Sequence, residues 1–463
     1  MGTMLDGFSW RKPNPMTTVL LNLPWLVVTL SVSLFGAGWI TLTKELRRSS
    51  QRSLIVLVTN LVCSLLTVWG YYAGSENAIE FGKSFRVDAL GAPLLLVSAI
   101  IHLLLGLTSG RNRIARFSLV GLNLSQALLA AMITCREPWL LITLLCLEAL
   151  LPILDMKSLG NRQRPYLIYM GLFMGLLGAG WALSPHQATL PATLCLVALL
   201  LRNGTFPLHS WITELFEKAS QGVALSMVLS FGGVLGILRL VLPYASKESL
   251  QIAESITLLT AVYGSAMALT MREPKRFFSF LCMSQSAMVL SGLLQLSSSG
   301  LTAALCLWIS TALSLAGIGV VLRALEVRFG NLSLGIHHGL YGHAPTLAVC
   351  FLLTGLASIG FPGTIGFVPL ELLLTGALES GMGMAVGLVL ASMLNCIAVL
   401  RVYFQLFTGK RVLSSVALPI TSKERVAITL LALIVFGGGA FPQPFILSRH
   451  HIATEMLSQR EKN

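Results

Sequence analysis

A few ionisable residues lie inside long apolar stretches, where a charge is costly and is therefore a candidate for function. Glu148 lies in the middle of one such stretch, and Asp155 follows it after Pro152. The spacing of the three residues places them on one face of a helix, and the proline removes a backbone hydrogen bond between the two carboxylates. We interpret Glu148 and Asp155 as candidate proton-binding groups. The alternative is that Glu148 only joins helices through hydrogen bonds.

Helix-breaking residues interrupt a second apolar stretch at residues 203–209, here the first break. Arg202 precedes it, and Gly204, Pro207 and His209 lie within it. Unwound backbone at membrane depth is tolerated only where it is buried in protein or lines a wet cavity, so this break predicts free carbonyls and room for water. Arg202 keeps its proton at ordinary pH and could either bias Glu148 or form a structural ion pair. His209 could relay protons or cap the broken segment.

A second interruption of the same kind occupies residues 360–366, here the second break. It contains Gly360, Pro362 and Gly363, and Glu371 follows it within the same apolar stretch. Discontinuous helices at matching places in two halves of a chain indicate an ion or substrate path. Glu371 is therefore a second candidate carboxylate, and the chain is expected to carry ions.

Other ionisable groups have simpler interpretations. Arg239 and Arg401 lie deep enough to need partners, or they extend toward a helix end as long basic side chains do. His102 is interpreted as a packing histidine, and His337 and His338 as solvated loop residues.

The cysteine and glycine patterns predict no cofactor in this chain. The eight cysteines form no CxxC pair and no Cys/His cluster with metal spacing. A glycine-rich phosphate loop or dinucleotide fingerprint is also missing from the sequence. If the protein takes part in redox chemistry, its partners are expected to hold the cofactors.

Composition indicates a polytopic α-helical membrane protein. Hydrophobic residues make up 55% of the 463 residues and charged residues 11%, so a soluble domain could not bury the apolar surface. Apolar runs of about 20 residues are long enough to cross a bilayer. We predict fourteen spans, and the first is too long for a cleavable signal sequence. Their expected extents are 17–43, 53–74, 88–109, 115–135, 138–156, 165–184, 189–210, 222–244, 250–271, 276–296, 301–325, 344–378, 383–408 and 426–447.

Basic residues are distributed unequally between the loops of this arrangement. Loops after even-numbered spans hold only Lys83, Arg86, Arg136 and Lys247. The positive-inside rule then places the odd-numbered loops in the cytoplasm and both termini outside. The net charge of +13 therefore reflects membrane topology rather than nucleic-acid binding. Loops after odd-numbered spans hold Lys44, Arg47, Arg48, Arg52, Arg111, Arg113, Arg116, Lys157, Arg162, Arg164, Lys218, Arg272, Lys275, Arg276, Arg328, Lys410, Arg411, Lys423 and Arg425.

The residues around the first break form a recognisable pattern. Pro207, His209 and Trp211 resemble the P-x-H-x-W signature of the proton-pumping, antiporter-like membrane subunits of respiratory complex I. The same family includes Mrp-type cation/proton antiporters, membrane-bound hydrogenases and the membrane subunits of DAB-type inorganic-carbon transporters. Other stretches that resemble the family, in the same order, are residues 85–90, 147–152, 275–285 and 356–367.

The resemblance implies an all-α fold with about fourteen transmembrane helices and two inverted five-helix repeats. Helices 1–3 would occupy residues 1–114, the first repeat (helices 4–8) residues 115–244, and the second repeat (helices 9–13) residues 250–408. Helix 14 and a tail would occupy residues 409–463. The breaks would then fall in helices 7 and 12.

The family's ionisable axis is altered in this chain. In the family, a glutamate in helix 5 pairs with a lysine in helix 7; Glu148 matches the glutamate, but Arg202 stands at the lysine position. A desolvated lysine can release its proton, whereas an arginine cannot, so a complete two-half-channel pump is not expected. The remaining axis positions fall at Phe231, near Ser310 and Ser314, and at Leu370 beside Glu371.

Three functions remain open from the sequence. The first is a proton- or cation-translocating subunit of a complex I-like, hydrogenase-like or Mrp-like assembly, such as an NADH:quinone oxidoreductase-type translocase. The second is the membrane subunit of a two-component inorganic-carbon uptake system, which would partner a large soluble zinc protein at the cytoplasmic face. The third is a non-conducting scaffold. In each case the expected location is the inner membrane of a bacterium, and no nucleic-acid partner is expected. In the first case the expected partners are other membrane subunits.

Overall fold

The structure is a computed structural model that describes residues 23–42, 46–108, 119–161, 163–183, 189–229, 232–409 and 420–462. Phe231, at one altered axis position, lies outside the described residues. So do the predicted loop residues Lys44, Arg111, Arg113, Arg116, Arg162, Lys410 and Arg411.

The described residues of the N-terminal part, 23–42 and 46–108, form four helices and a short hairpin. The strands β1 and β2 pair antiparallel, with Glu80 opposite Arg86, and these two side chains form an ion pair at 2.8 Å. The hairpin is not anticipated from the sequence because its strands are only two residues long. In order, the elements are α1 (Trp25–Thr41), α2 (Leu46–Tyr72), α3 (Glu76–Ile79), β1 (Glu80–Phe81), β2 (Phe85–Arg86) and α4 (Gly91–Leu107).

The middle part of the chain carries the first break. Helix α8 ends at Arg202 and the next helix begins at Ser210, so the break predicted at residues 203–209 is present. The elements are α5 (Leu119–Thr134), α6 (Pro138–Ser158), α7 (Arg164–Leu183), α8 (Thr189–Arg202), α9 (Ser210–Lys218), α10 (Gln221–Leu229), α11 (Gly232–Gly236) and a π-helical turn (Ile237–Val241).

The C-terminal part carries the second break, between α15 and α16. Proline at the first helical position begins both α13 and α15, as is common where the amide would lack a partner. The elements are α12 (Lys247–Thr270), α13 (Pro274–Leu294), α14 (Ser298–Phe329), a 3-10 turn (Leu340–Gly342), α15 (Pro345–Ser358), α16 (Phe367–Ser380), α17 (Met382–Phe407), α18 (Ser422–Ala440) and α19 (Gln443–Lys462).

Helices α13 and α14 form the centre of the molecule. Every residue from Phe277 to Leu294 and from Gly300 to Leu325 is buried. A helix that is apolar all round is expected to be enclosed by others. Helix α14 contacts α4, α10, α13, α15 and α16, so it joins the N-terminal part to both later parts.

In the part of the chain that the structure describes, each predicted span overlaps a helix or consecutive helical segments. Eight described helices are long and apolar enough to cross a bilayer, or nine if the bent pair α18–α19 counts as one span. The protein is therefore a multi-pass membrane protein, and fourteen crossings remain a prediction.

The last predicted span differs from the structure at its end. Span 426–447 was expected to continue through residue 447, but α18 ends at Ala440. Pro442 follows, and α19 runs at 74° to α18 over residues expected to form a tail. Buried Arg449 fixes this last helix, because it donates to the carbonyl of Ala89 at 2.9 Å.

Candidate functional site

Helix α6 presents its polar residues on its buried face. Glu148, Pro152 and Asp155 are all buried, as their spacing predicts, and α6 continues through the proline. Pro152 therefore does not break the helix.

Glu148 and Arg202 form an ion pair in the interior. Nη2 of Arg202 donates to Oε2 of Glu148 at 2.8 Å, and the two side chains are only 3% and 1% exposed. The guanidinium also lies 5.8 Å from the ring centroid of Trp211, within the range of a cation–π interaction. We call this the Glu148–Arg202 pair. Trp211, known from the sequence only as part of a motif, is thus a direct neighbour of the pair.

Side chains bind three carbonyls in the last turn of α8, those of Leu199, Leu200 and Leu201. The indole of Trp211 donates to the Leu201 carbonyl at 3.0 Å. The Thr205 hydroxyl donates to the carbonyl of Leu200 at 3.0 Å, and the Asn203 amide to that of Leu199 at 2.8 Å. Gly204 makes the turn with a φ of 72°, a conformation that glycine adopts at little cost. The break is therefore closed by its own side chains.

Two glycines allow helix α11 to approach the pair. A Cβ at Gly232 would lie 2.8 Å from Oε2 of Glu148, and one at Gly233 would lie 2.7 Å from Cγ of Asn203. A larger residue at either position would displace the groups of the site. The Gly-Gly sequence could have suggested this close approach, but its partner becomes visible only in the structure.

Asp155 and His209 lie on either side of the site rather than in it. Asp155 accepts a hydrogen bond of 2.6 Å from the backbone amide of Ser220, just before α10. His209 is partly buried, and its Nε2 shares a hydrogen bond of 3.4 Å with the hydroxyl of Tyr263. The ring of His209 also packs against Phe206 and Phe280. Asp155 thus positions a helix start, and His209 belongs to an aromatic cluster at the first break, which contains Pro207.

The second break lies at the edge of the molecule. Gly360 and Gly363 adopt φ values of 72° and 84°, and Pro362 is exposed. Two contacts tie the break to other helices. The amide of Gln285 on α13 donates to the Ser358 carbonyl at 2.9 Å, and the amide of Ile365 donates to the carbonyl of Val435 at 3.0 Å.

Glu371 is exposed on α16 and is not brought together with the Glu148–Arg202 pair. Its carbonyl accepts from the Thr375 hydroxyl on the same helix, and among the described residues its carboxylate forms no salt bridge. The sequence places Glu371 correctly after the break but cannot show which way it faces.

The other axis positions carry groups that bond locally. Ser310 donates to the Leu307 carbonyl at 3.1 Å, and Ser314 donates to the Ser310 carbonyl at 2.7 Å, so both hydroxyls are used within α14. Leu370 is partly buried and packs against Gly360. These residues do not supply ionisable groups.

The two deep arginines have partners. Arg239 binds Asp88 at 3.0 Å and the carbonyls of Ile133 and Cys135. Arg401 donates to the carbonyl of Leu269.

The histidines outside the breaks also bond to nearby backbone. Buried His102 donates through Nδ1 to the Ser98 carbonyl at 2.8 Å, as a packing histidine would. His337 is exposed and His338 is partly buried, and Nε2 of His338 lies 2.8 Å from the Ser333 carbonyl.

Known proteins are similar to this chain in sequence and in fold. Residues 168–395 match the family model described as "NADH:quinone oxidoreductase/Mrp antiporter, TM". NADH-quinone oxidoreductase subunit M from Pseudomonas aeruginosa is 28% identical over 273 residues, which are 57% of this chain and 53% of the relative. The chain is homologous to antiporter-like membrane subunits. This chain therefore spans about half the length of subunit M from Pseudomonas aeruginosa.

Solved structures of other proteins have the same fold as this chain. A chain of respiratory complex I from Thermus thermophilus superposes with a TM-score of 0.83 at 18% identity, covering 94% of this chain and 99% of that one. A chain of the Mrp complex from a Dietzia species gives a TM-score of 0.78 at 18% identity, covering 96% and 98%. The two neighbours are chains of respiratory complex I and of the Mrp complex. These relatives do not favour the inorganic-carbon and scaffold alternatives.

Proposed function

We propose that this antiporter-like subunit moves protons or another cation across the membrane, with Glu148 as its central ionisable group. The observation that carries the proposal is the Glu148–Arg202 pair. An ion pair that is almost fully buried among apolar helices is expensive to desolvate and gives little net stability. An intramembrane charge of this kind is by default a functional group.

The chemistry of the pair assigns the proton to the carboxylate. Arg202 stays protonated, so only Glu148 can change its charge in this pair. When Glu148 is ionised the pair is neutral; when it takes up a proton, a net positive charge remains on Arg202. One proton thus changes the electrostatic state of the membrane interior, and His209, Asp155 and Glu371 are the further groups that we assign to the path.

The organisation of the chain is proposed on the same basis. Breaks between α8 and α9 and between α15 and α16 support two inverted repeats, residues 115–244 and 250–408, flanked by residues 1–114 and 409–463. The distribution of basic residues supports cytoplasmic odd-numbered loops and outward termini in a bacterial inner membrane.

Proton movement in membrane vesicles tests the function. Glu148→Gln keeps the shape of the side chain and removes its charge, so we expect proton-coupled activity to be lost while the protein still accumulates in the membrane. Glu137→Gln is the matched control, because it makes the same change at the start of the same helix. Wild-type activity in Glu148→Gln would exclude this function and leave a non-conducting scaffold.

Purification from native membranes in mild detergent tests the assembly. We expect other membrane subunits to copurify, together with subunits that hold redox cofactors if the assembly is complex I-like. A large soluble zinc protein as the sole stoichiometric partner would contradict the proposal and favour inorganic-carbon uptake.

A further inference from the structure

A small cavity lies beside the Glu148–Arg202 pair, on the side that faces the central helix α13. It has about 10 Å³ of space for water, which is about the minimum volume that one water molecule needs. Arg202, Asn203, Cys282 and Ser286 are among the residues that line it. The site is polar as well as large enough, and both properties are required for a buried water.

Arg202, which lines this cavity, carries an unsatisfied donor. Nε of Arg202 is buried and has no hydrogen-bond acceptor among the described residues, although Nη2 is bound to Glu148. A buried N–H group without an acceptor is costly, and a guanidinium donates strongly. Arg202 is 3% exposed, so bulk water does not reach it.

Helix α13 contributes Cys282 and Ser286 to the lining of the cavity, and this segment of α13 contacts both breaks. The Ser286 hydroxyl donates to the Asn203 carbonyl in the first break at 3.5 Å, which is long for such a bond. The neighbouring residue, Gln285, donates to the Ser358 carbonyl next to the second break at 2.9 Å. Two consecutive residues of one buried helix therefore join the two broken helices.

We propose that this cavity binds one water molecule, which accepts from Nε of Arg202 and bonds the hydroxyl of Ser286. Through this water the charge state of the Glu148–Arg202 pair acts on α13 at the point where α13 holds both breaks. Ser286 is a positioning residue in this scheme, because it acts through the water and not on the transported ion.

This site offers a connection that the family's ionisable axis does not supply in this chain. Ser310 and Ser314 bond within their own helix, and neither offers an ionisable group. When Glu148 is protonated, Arg202 loses its counter-charge, and a water on Nε stabilises the remaining cation in place. The inference rests on the proposed function for its consequence, but the water itself can be detected without it.

Two substitutions of Ser286 distinguish the effect of the water from the effect of the hydroxyl. Ser286→Val removes the hydroxyl and fills the cavity, and we expect proton movement to fall roughly tenfold, the factor that about 1.4 kcal/mol of barrier produces. Ser286→Ala leaves room for the water and is expected to be milder. Ser291→Val is the matched control, since Ser291 is also buried on α13 and its hydroxyl donates to the sulfur of Met384 at 3.7 Å, away from both breaks.

A cryo-EM map that resolves ordered water provides a direct measurement on the wild-type assembly. Density within hydrogen-bond distance of both Nε of Arg202 and the Ser286 hydroxyl is expected. An empty cavity in that map would overturn the inference. Wild-type transport by Ser286→Val would also overturn it, and an inactive Glu148→Gln would show that the proposed function still holds. If Glu148→Gln is active, the proposed function fails instead, and the map alone decides the water site.

Discussion

Replacing Glu148 by glutamine should destabilise the protein more than replacing its partner Arg202. The two charged atoms are 2.8 Å apart, and at an effective dielectric constant of about 20 two unit charges at this distance attract by roughly 6 kcal/mol. That value is an upper bound, because both groups have also lost their water. Removing one partner of a buried ion pair typically costs about 3–5 kcal/mol, and we expect Glu148→Gln to fall in this range.

The two side chains of the pair differ in their ability to become neutral. In Glu148→Gln the guanidinium of Arg202 remains charged, with the ring of Trp211 at 5.8 Å as partial compensation. In Arg202→Gln the carboxylate of Glu148 can take up a proton and become neutral, which limits the cost of leaving it buried. We therefore expect Arg202→Gln to cost less than Glu148→Gln, and the double variant to regain most of the lost stability.

The measurement is the unfolding of the purified protein in detergent, followed for the two single variants and the double variant. Such a cycle isolates the interaction between the two side chains. The reasoning is refuted if Arg202→Gln is the more destabilising change, or if the double variant is no more stable than Glu148→Gln. Transport should stay absent in the double variant, because stability returns without the titrating carboxylate.

Other changes at the site have equally definite outcomes. Arg202→Lys should retain transport but speed the collapse of an imposed pH gradient in vesicles, because a desolvated ammonium can release its proton; an unchanged leak would contradict this. Gly232→Ala should cost about 1–3 kcal/mol by pressing a methyl group on Glu148, whereas Gly175→Ala, which meets open space, should unfold like the wild type. Trp211→Phe removes one of two donors to the Leu201 carbonyl, which also accepts from the Gly204 amide at 2.9 Å, and should lower stability by about 0.5–1.5 kcal/mol; an unaltered unfolding curve would argue against that role.

The sequence predicts the positions of the helices well because membrane helices depend on local properties. Runs of apolar residues, and glycine or proline inside them, give the helices and both breaks without reference to contacts. The end of α18 is predicted less well, since hydropathy does not distinguish a span from the helix that follows it. Arg449, which is buried only because α19 packs back on the carbonyls before α4, depends on contacts between residues about 360 positions apart.

The chemistry of the site is predicted only in part. The buried face of α6 follows from helical spacing, and the Glu148–Arg202 pair follows from the resemblance to the family. The sequence does not predict which way Glu371 faces. Neighbouring residues of α16 lie on different faces of the helix, so that Glu371 is exposed whereas Leu370 is partly buried. The closure of the first break by Trp211 and Thr205 also requires the structure, since it depends on which carbonyl each donor reaches.

An arginine in place of a lysine changes what the pair can transmit, and the structure indicates how. A lysine could pass a proton onward, so that both members would titrate; with Arg202 only Glu148 does. In the proposed function the pair would act as a switch between a neutral and a positive state, and its effect on other groups would be electrostatic. Two side chains near Arg202 are best placed to respond to this change of charge. The first is Trp211, whose indole donates to a carbonyl at the end of α8. The second is Ser286, whose neighbour Gln285 donates to the Ser358 carbonyl beside the second break. A fixed cation between them would convert the protonation of one carboxylate into a force on both broken helices.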